Sequence, residues 1–184
     1  MMMTTPAQPA GFIGRAAAPP YPRKPAHSAT GQWLAESLDQ PEIAWEGWRK
    51  GPQTMLPAGR RFDAVRIPAE LVHAAADSAI HATVAEYLTA ALDGPVICDP
   101  ARWYYALVPP DTTESWTCGL ARCLGTGAWI GVPHTDLTKH TQLHWCVPMT
   151  QPGHLCDPST VAALIEHGHK QLIPEPTTFR QPAR

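Results

Sequence analysis

No apolar run in this 184-residue chain approaches the roughly 20 residues that span a bilayer. The start, MMMTTPAQPAGFIGRAAAPP, has no basic stretch leading into a continuous apolar one. It therefore predicts no secretion signal, and a cytoplasmic protein without membrane contact. Lysine is scarce, present only at Lys24, Lys50, Lys139 and Lys170, and arginine outnumbers it. Abundant alanine and proline accompany that bias, which reads as the composition of a GC-rich genome. The formal net charge of −2 excludes a bulk electrostatic drive toward nucleic acid or membrane.

Several chemical signatures are also missing. LGTGAW contains glycines but no Walker lysine, and no GxGxxG motif opens a helix. There is no GxSxG elbow for serine hydrolysis. A D-x-D pair at a strand end would set two carboxylates on one face for divalent metal, and the chain has none. Asp63 stands alone in its strand, while Asp99, Asp111 and Asp136 fall where turn-forming and capping acids belong. The five cysteines, Cys98, Cys118, Cys123, Cys146 and Cys156, lie mostly in apolar surroundings. They predict buried free thiols rather than nucleophiles or disulfides. Histidine and cysteine thicken late in the chain, at Cys118, Cys123, His134, His140, His144, Cys146, His154 and Cys156. No recognised zinc spacing is completed. The expectation is thus no metal, no cofactor and no catalytic residue.

What is present is a set of clear periodicities between two proline-rich ends. Residues 1–28 hold no acid and few bulky apolar groups, so the ordering entropy is not offset and a disordered leader is expected. Residues 29–170 predict a single domain, and 171–184 an extended tail. TGQWLAESLDQPEIAWEGWRKG reads as two short helices, the second opened by Pro41. Trp33, Trp45 and Trp48 lack an interleaved basic cluster, so they predict packing of a helical hairpin on a sheet. In GRRFDAVRIPAELVHAAADS, Phe62 and Ala64, with Arg66, alternate against Asp63, Val65 and Ile67. Pro68 ends that strand and opens a helix with Leu71, Val72 and Ala75 inward. A longer helix follows, with Ile80, Val84, Tyr87, Leu88 and Ala91 as its stripe. Ser78 is its expected cap, Gly94-Pro95 its stop, and His81 and Glu86 are expected to be solvated.

GPVICD and RWYYALVP predict a hairpin. CGLARCLGTGAWIGVP predicts two more strands around a Gly125-Thr126-Gly127 hairpin loop. LHWCVPM adds a strand, and CDPSTVAALIEHGHK adds a helix capped by Asp157 and ended by Gly168. The order of elements predicts an α+β fold, a mainly antiparallel or mixed sheet with helices packed on one face.

The runs GRRFDAVRIPAELVHAA, GPVICDPARWYYALVPPDTTESW and CLGTGAWIGVP together resemble the bacterial bifunctional DNA primase/polymerase N-terminal domain, within the archaeo-eukaryotic primase superfamily. The resemblance covers about Gly59 to Pro133. It implies a sheet-based nucleotidyltransferase scaffold with paired metal-binding acids and a histidine that handles the nucleotide. Here Arg66, Ile67 and Pro68 stand where the acids would be sought, and Arg102 and Trp103 stand near the glycine-plus-histidine segment. The resemblance therefore implies a scaffold whose chemistry has been lost. The resulting expectation is a non-catalytic domain that binds nucleic acid or nucleotide, associated with replication of a plasmid or mobile element. Its candidate contacts are Arg60, Arg61, Arg66, Arg102 and Trp103, since arginine suits phosphate and an aromatic ring can stack a base. The competing expectation puts Tyr104, Ala106 and Val108 in the core, with Trp103 and Tyr105 covered by a helix. The rival function is a protein-interaction or regulatory module with no nucleic-acid role, dimerising through tryptophans or a sheet edge.

Overall fold

The computed structural model describes residues 28–100, 102–137 and 142–173. The expectations for the leader up to residue 27, for Lys139 and His140, and for the tail beyond Ile173 lie outside these residues. The chain runs through α1 (Ala29–Ala35), α2 (Pro41–Lys50), β1 (Gln53–Pro57), β2 (Asp63–Pro68), α3 (Ala69–Ala75) and α4 (His81–Leu92). It continues through β3 (Val96–Asp99), β4 (Trp103–Val108), α5 (Thr112–Ser115), β5 (Arg122–Leu124), β6 (Trp129–Pro133), β7 (His144–Val147) and α6 (Pro158–Leu172). Five strands form one sheet in the order β5-β2-β4-β3-β7, and every neighbouring pair is antiparallel. A separate antiparallel ribbon pairs β1 with β6. The fold is α+β.

Strand alternation sends side chains of the five-stranded sheet to two apolar layers. Val65, Ile67, Val96, Cys98, Tyr104, Ala106 and Val108 enter the first, beneath α3, α4 and α6. Ala64, Ile97, Leu107 and Trp145 enter the second, beneath α1, α2 and the ribbon. The sheet is therefore covered on both faces, the second by a mixed layer of two helices and two strands. The tryptophans of the helical hairpin pack as expected: Trp48 is buried, while Trp33 and Trp45 are half-buried against the same layer.

The strongest helix signal is met in detail. Asp157 caps α6 by accepting the backbone N–H of Ser159 (2.8 Å) and of Thr160 (3.1 Å), and Pro158 opens the helix. Val161, Leu164, Ile165 and Gly168 form its buried stripe. Gly168 was expected to end this helix, but α6 continues to Leu172. The glycine serves packing instead: a Cβ there would lie 2.0 Å from the Leu71 carbonyl oxygen of α3.

Other expectations are corrected by tertiary contacts. Gly125-Thr126-Gly127 does not join a hairpin. Its turn closes locally, with Ala128 N–H donating to the Gly125 carbonyl at 2.9 Å. The chain then passes from the edge of one sheet into the other, because Ala58 N–H donates to the Ala128 carbonyl (3.0 Å) and β6 pairs with β1. Ile130 and Val132 thereby bury beside Leu56. β1, bounded by Pro52 and Pro57, and the single-turn α5 were not expected. Ser78 does not cap α4, whose cap position is Ile80; its hydroxyl instead accepts the Ile80 N–H at 3.0 Å. Asp93, in the left-handed region at φ 44°, ends that helix just before Gly94. Among the described residues, no helix is long and apolar enough to cross a membrane.

Candidate functional site

Among the described residues, β5 pairs only with Ala64–Arg66 of β2. At this sheet edge a cleft of about 570 Å³ opens, lined by Arg66, Pro68, Trp103, Trp116, Leu120 and Arg122, among others. That volume falls within the roughly 300–1,000 Å³ of typical small-ligand sites. Register brings the side chains together: Arg66 stands opposite Tyr105 on one side and Arg122 on the other, and Pro68 stands opposite Trp103. Residues directly opposite in antiparallel strands share a face. The Arg66 guanidinium lies over the Trp103 ring, 4.6 Å from its centroid. Stacking of this kind holds a guanidinium plane in place.

The wall formed by Trp116 and its following loop is braced internally. The Trp116 indole N–H donates to the carbonyls of Cys118 (3.0 Å) and Ala121 (2.9 Å). That leaves the arginines as the charged donors of the cleft. Arg102 is exposed, and its charge together with that of Arg66 acts on Tyr105. The Tyr105 hydroxyl is nevertheless pushed above the ordinary phenol range, chiefly by burial, with Asp99 adding to the shift.

The candidate contacts thus divide into two groups. Arg66, Arg102 and Trp103 gather at one end of β2 and β4, joined by Arg122, which sequence reasoning did not single out. Arg60 and Arg61 precede β2 at its other end. Arg61 and Arg66 are five positions apart, roughly 16 Å along extended chain. Both leading arginines are engaged. Arg60 pairs with Asp39 (2.7 Å) and donates to the Ser37 carbonyl (3.0 Å). Arg61 pairs with Glu36 at 2.6 Å and lies 5.9 Å over Trp33. They clamp the α1–α2 connection onto the start of β2. Among the described residues, no carboxylate pairs with Arg66, Arg102 or Arg122. A cross-strand neighbour of an expected contact, here Arg122 opposite Arg66, could be found only after β5 was placed beside β2.

Tyr104, Ala106 and Val108 are buried in the first layer. Tyr105 packs against the second layer, whereas Trp103 is half-buried and lines the cleft rather than lying under a helix. His81 is not merely solvated: it is half-buried, its ring centroid 4.9 Å from that of buried His144. His144 in turn donates from Nδ1 to the Gln142 carbonyl at 2.7 Å.

The remaining reactive groups are placed for packing. All five cysteines are free. Burial pushes the Cys98 thiol up to about 11, and those of Cys123, Cys146 and Cys156 up to about 12. Thiolates are correspondingly rare there at neutral pH. Asp63 is fully buried, its Oδ2 accepting the Thr113 backbone N–H (3.1 Å) and hydroxyl (3.4 Å). Burial raises its carboxyl above the ordinary range, Thr113 partly offsets that, and the Asp111 charge adds to it. Among the described residues, no three histidine, cysteine or acidic side chains converge on a point that could hold a metal ion. No family model, curated protein or solved structure matches the chain.

Proposed function

We propose that this protein is a non-catalytic domain that binds nucleic acid or a nucleotide, on a primase/polymerase-like scaffold serving replication of a plasmid or mobile element. The observation that carries the binding reading is the cleft in which Arg66 stacks on Trp103, with Arg122 on its lining and exposed Arg102 next to Trp103 in the chain. Such an array offers phosphate-binding guanidinium groups next to an aromatic surface for a base. Its charge is local, since the chain as a whole is slightly acidic. The scaffold reading is supported by the order of strands and punctuation between Gly59 and Pro133.

A salt-series titration with single- and double-stranded DNA tests the binding. Arg102→Gln should weaken binding and reduce the salt slope by about one unit, as expected for one lost phosphate contact. Trp103→Ala should weaken single-stranded binding by about tenfold, the scale of one lost base stack. No affinity at low salt, or affinity unchanged in both variants, overturns the reading. Primer synthesis with magnesium or manganese should be blank; a product would overturn the non-catalytic part.

A second reading has its own observation. Met55 and Trp129 are exposed on the outer face of the ribbon, 48% and 56% accessible respectively, and sit diagonally across its two strands. Such apolar groups suit a protein partner or a second copy of this chain. Light scattering across a concentration series would show self-association, and Trp129→Ser should abolish it.

A further inference from the structure

Arg66 and Arg122 occupy directly opposed positions of β2 and β5 and line the same cleft. Directly opposed residues of antiparallel strands have Cα atoms about 4.5–5.5 Å apart. Like charges in that relation destabilise a sheet unless something lies between them. Among the described residues, three of the six arginines have a carboxylate: Arg49 has Glu46, Arg60 has Asp39 and Arg61 has Glu36, while exposed Arg102 has none. Arg66 and Arg122 have none among the described residues. In addition, Arg66 Nε is buried without a hydrogen-bond acceptor there. A buried charged donor without an acceptor is costly, so the guanidinium of Arg66 is held in this position against a penalty.

We propose that Arg66 and Arg122 form an oxyanion site for a terminal phosphate monoester, such as the phosphorylated end of a nucleic-acid strand. The proposal rests on the binding reading above and assigns it a ligand class. An internal phosphodiester carries a single negative charge, whereas a monoester carries about −1.5 to −2 at neutral pH and presents three acceptor oxygens. Two guanidinium forks match that charge and geometry better than they match a backbone linkage. The Trp103 ring stacks on the Arg66 guanidinium, and the braced Trp116–Ala121 loop also lines the cleft.

The test compares short single strands of one sequence ending in a 5′-phosphate, a 3′-phosphate or hydroxyls only, with inorganic pyrophosphate as an added probe. One phosphorylated end should bind about tenfold more tightly than the hydroxyl-ended strand, the scale of one charge-assisted bidentate contact. Arg122→Gln should erase that preference, and Arg122→Lys should restore only part of it, because a point charge replaces a fork. Arg49→Gln, on the surface of α2, should change neither. Equal affinity for all three ends overturns the terminal-phosphate site and leaves the nucleic-acid reading standing. Failure of every strand to bind, with thermal stabilisation by pyrophosphate that Arg122→Gln abolishes, overturns the nucleic-acid reading and retains the oxyanion site. Failure of both strand and pyrophosphate binding overturns the two together.

Discussion

On the first face of the five-stranded sheet, α3 and α6 approach so closely that only the missing side chain of Gly168 leaves room for the Leu71 carbonyl. On the second face, contact is made by large rings whose polar atoms are tied to the ribbon. The Trp48 indole donates to the Val132 carbonyl at 2.9 Å, and the Trp145 indole to the Pro133 carbonyl at 3.2 Å. One layer is held by backbone proximity and aliphatic interdigitation, the other by aromatic volume with polar anchors. The difference bears on function. Arg66 and Trp103 share the strand parity of the second layer, yet they lie at the sheet edge where a cleft opens rather than in its core. The second-layer parity of β2 and β4 thus runs from core to candidate site, where it meets Trp116, Ala121 and Cys123 of the first layer.

Breaking the aromatic layer should have the largest effect. Phe62 is fully buried in it, and Phe62→Ala should lower unfolding free energy by about 4 kcal/mol in urea titrations. On the opposite face, Gly168→Ala should cost about 3 kcal/mol despite the better helix propensity of alanine, because backbone must move to admit a methyl group. A variant as stable as the parent would show that α3 and α6 can separate freely. Trp48→Phe should cost about 2 kcal/mol, since ring volume is largely kept but the buried Val132 carbonyl loses its donor. Should that substitution be silent, the polar anchors would be incidental to the layer.

The smallest effect concerns Asp63, which sits on the first face beside the α5 turn. Its carboxyl is raised in the folded state, so the folded protein holds that proton more tightly than the unfolded chain. Stability should therefore fall as pH rises from the ordinary carboxylate value through the raised folded value, and level off above it. Asp63→Asn should flatten that slope in pH-dependent thermal melts. An unchanged slope would assign the pH dependence to other groups.

Much of this architecture is legible in the residues. Asp157 and Pro158 announce α6, Pro41 opens α2, Pro68 separates β2 from α3, and the two inward sets of β4 follow from simple alternation. β1 is not legible, because a five-residue segment between prolines with two polar residues carries too few alternations to stand out. The placement of the candidate contacts was only partly legible. Arg66 and Trp103 are drawn together by the β2–β4 pairing, whereas Arg60 and Arg61 find carboxylates on the α1–α2 connection that sequence spacing could not reveal.

By itself the sequence determined most of the local events, namely the helices and strands other than β1 and α5, the Pro41, Pro68 and Asp157-Pro158 boundaries, and which side chains alternate inward. These depend on neighbours a few residues away. Tertiary structure alone decided that Gly168 is a crossing point instead of a stop, that β5 and β6 part into different sheets, and that Arg122 faces Arg66. Each of those outcomes depends on groups far apart in the chain: the Leu71 carbonyl, the Ala58 N–H and the edge of β2. Such contacts have no signature in the local sequence.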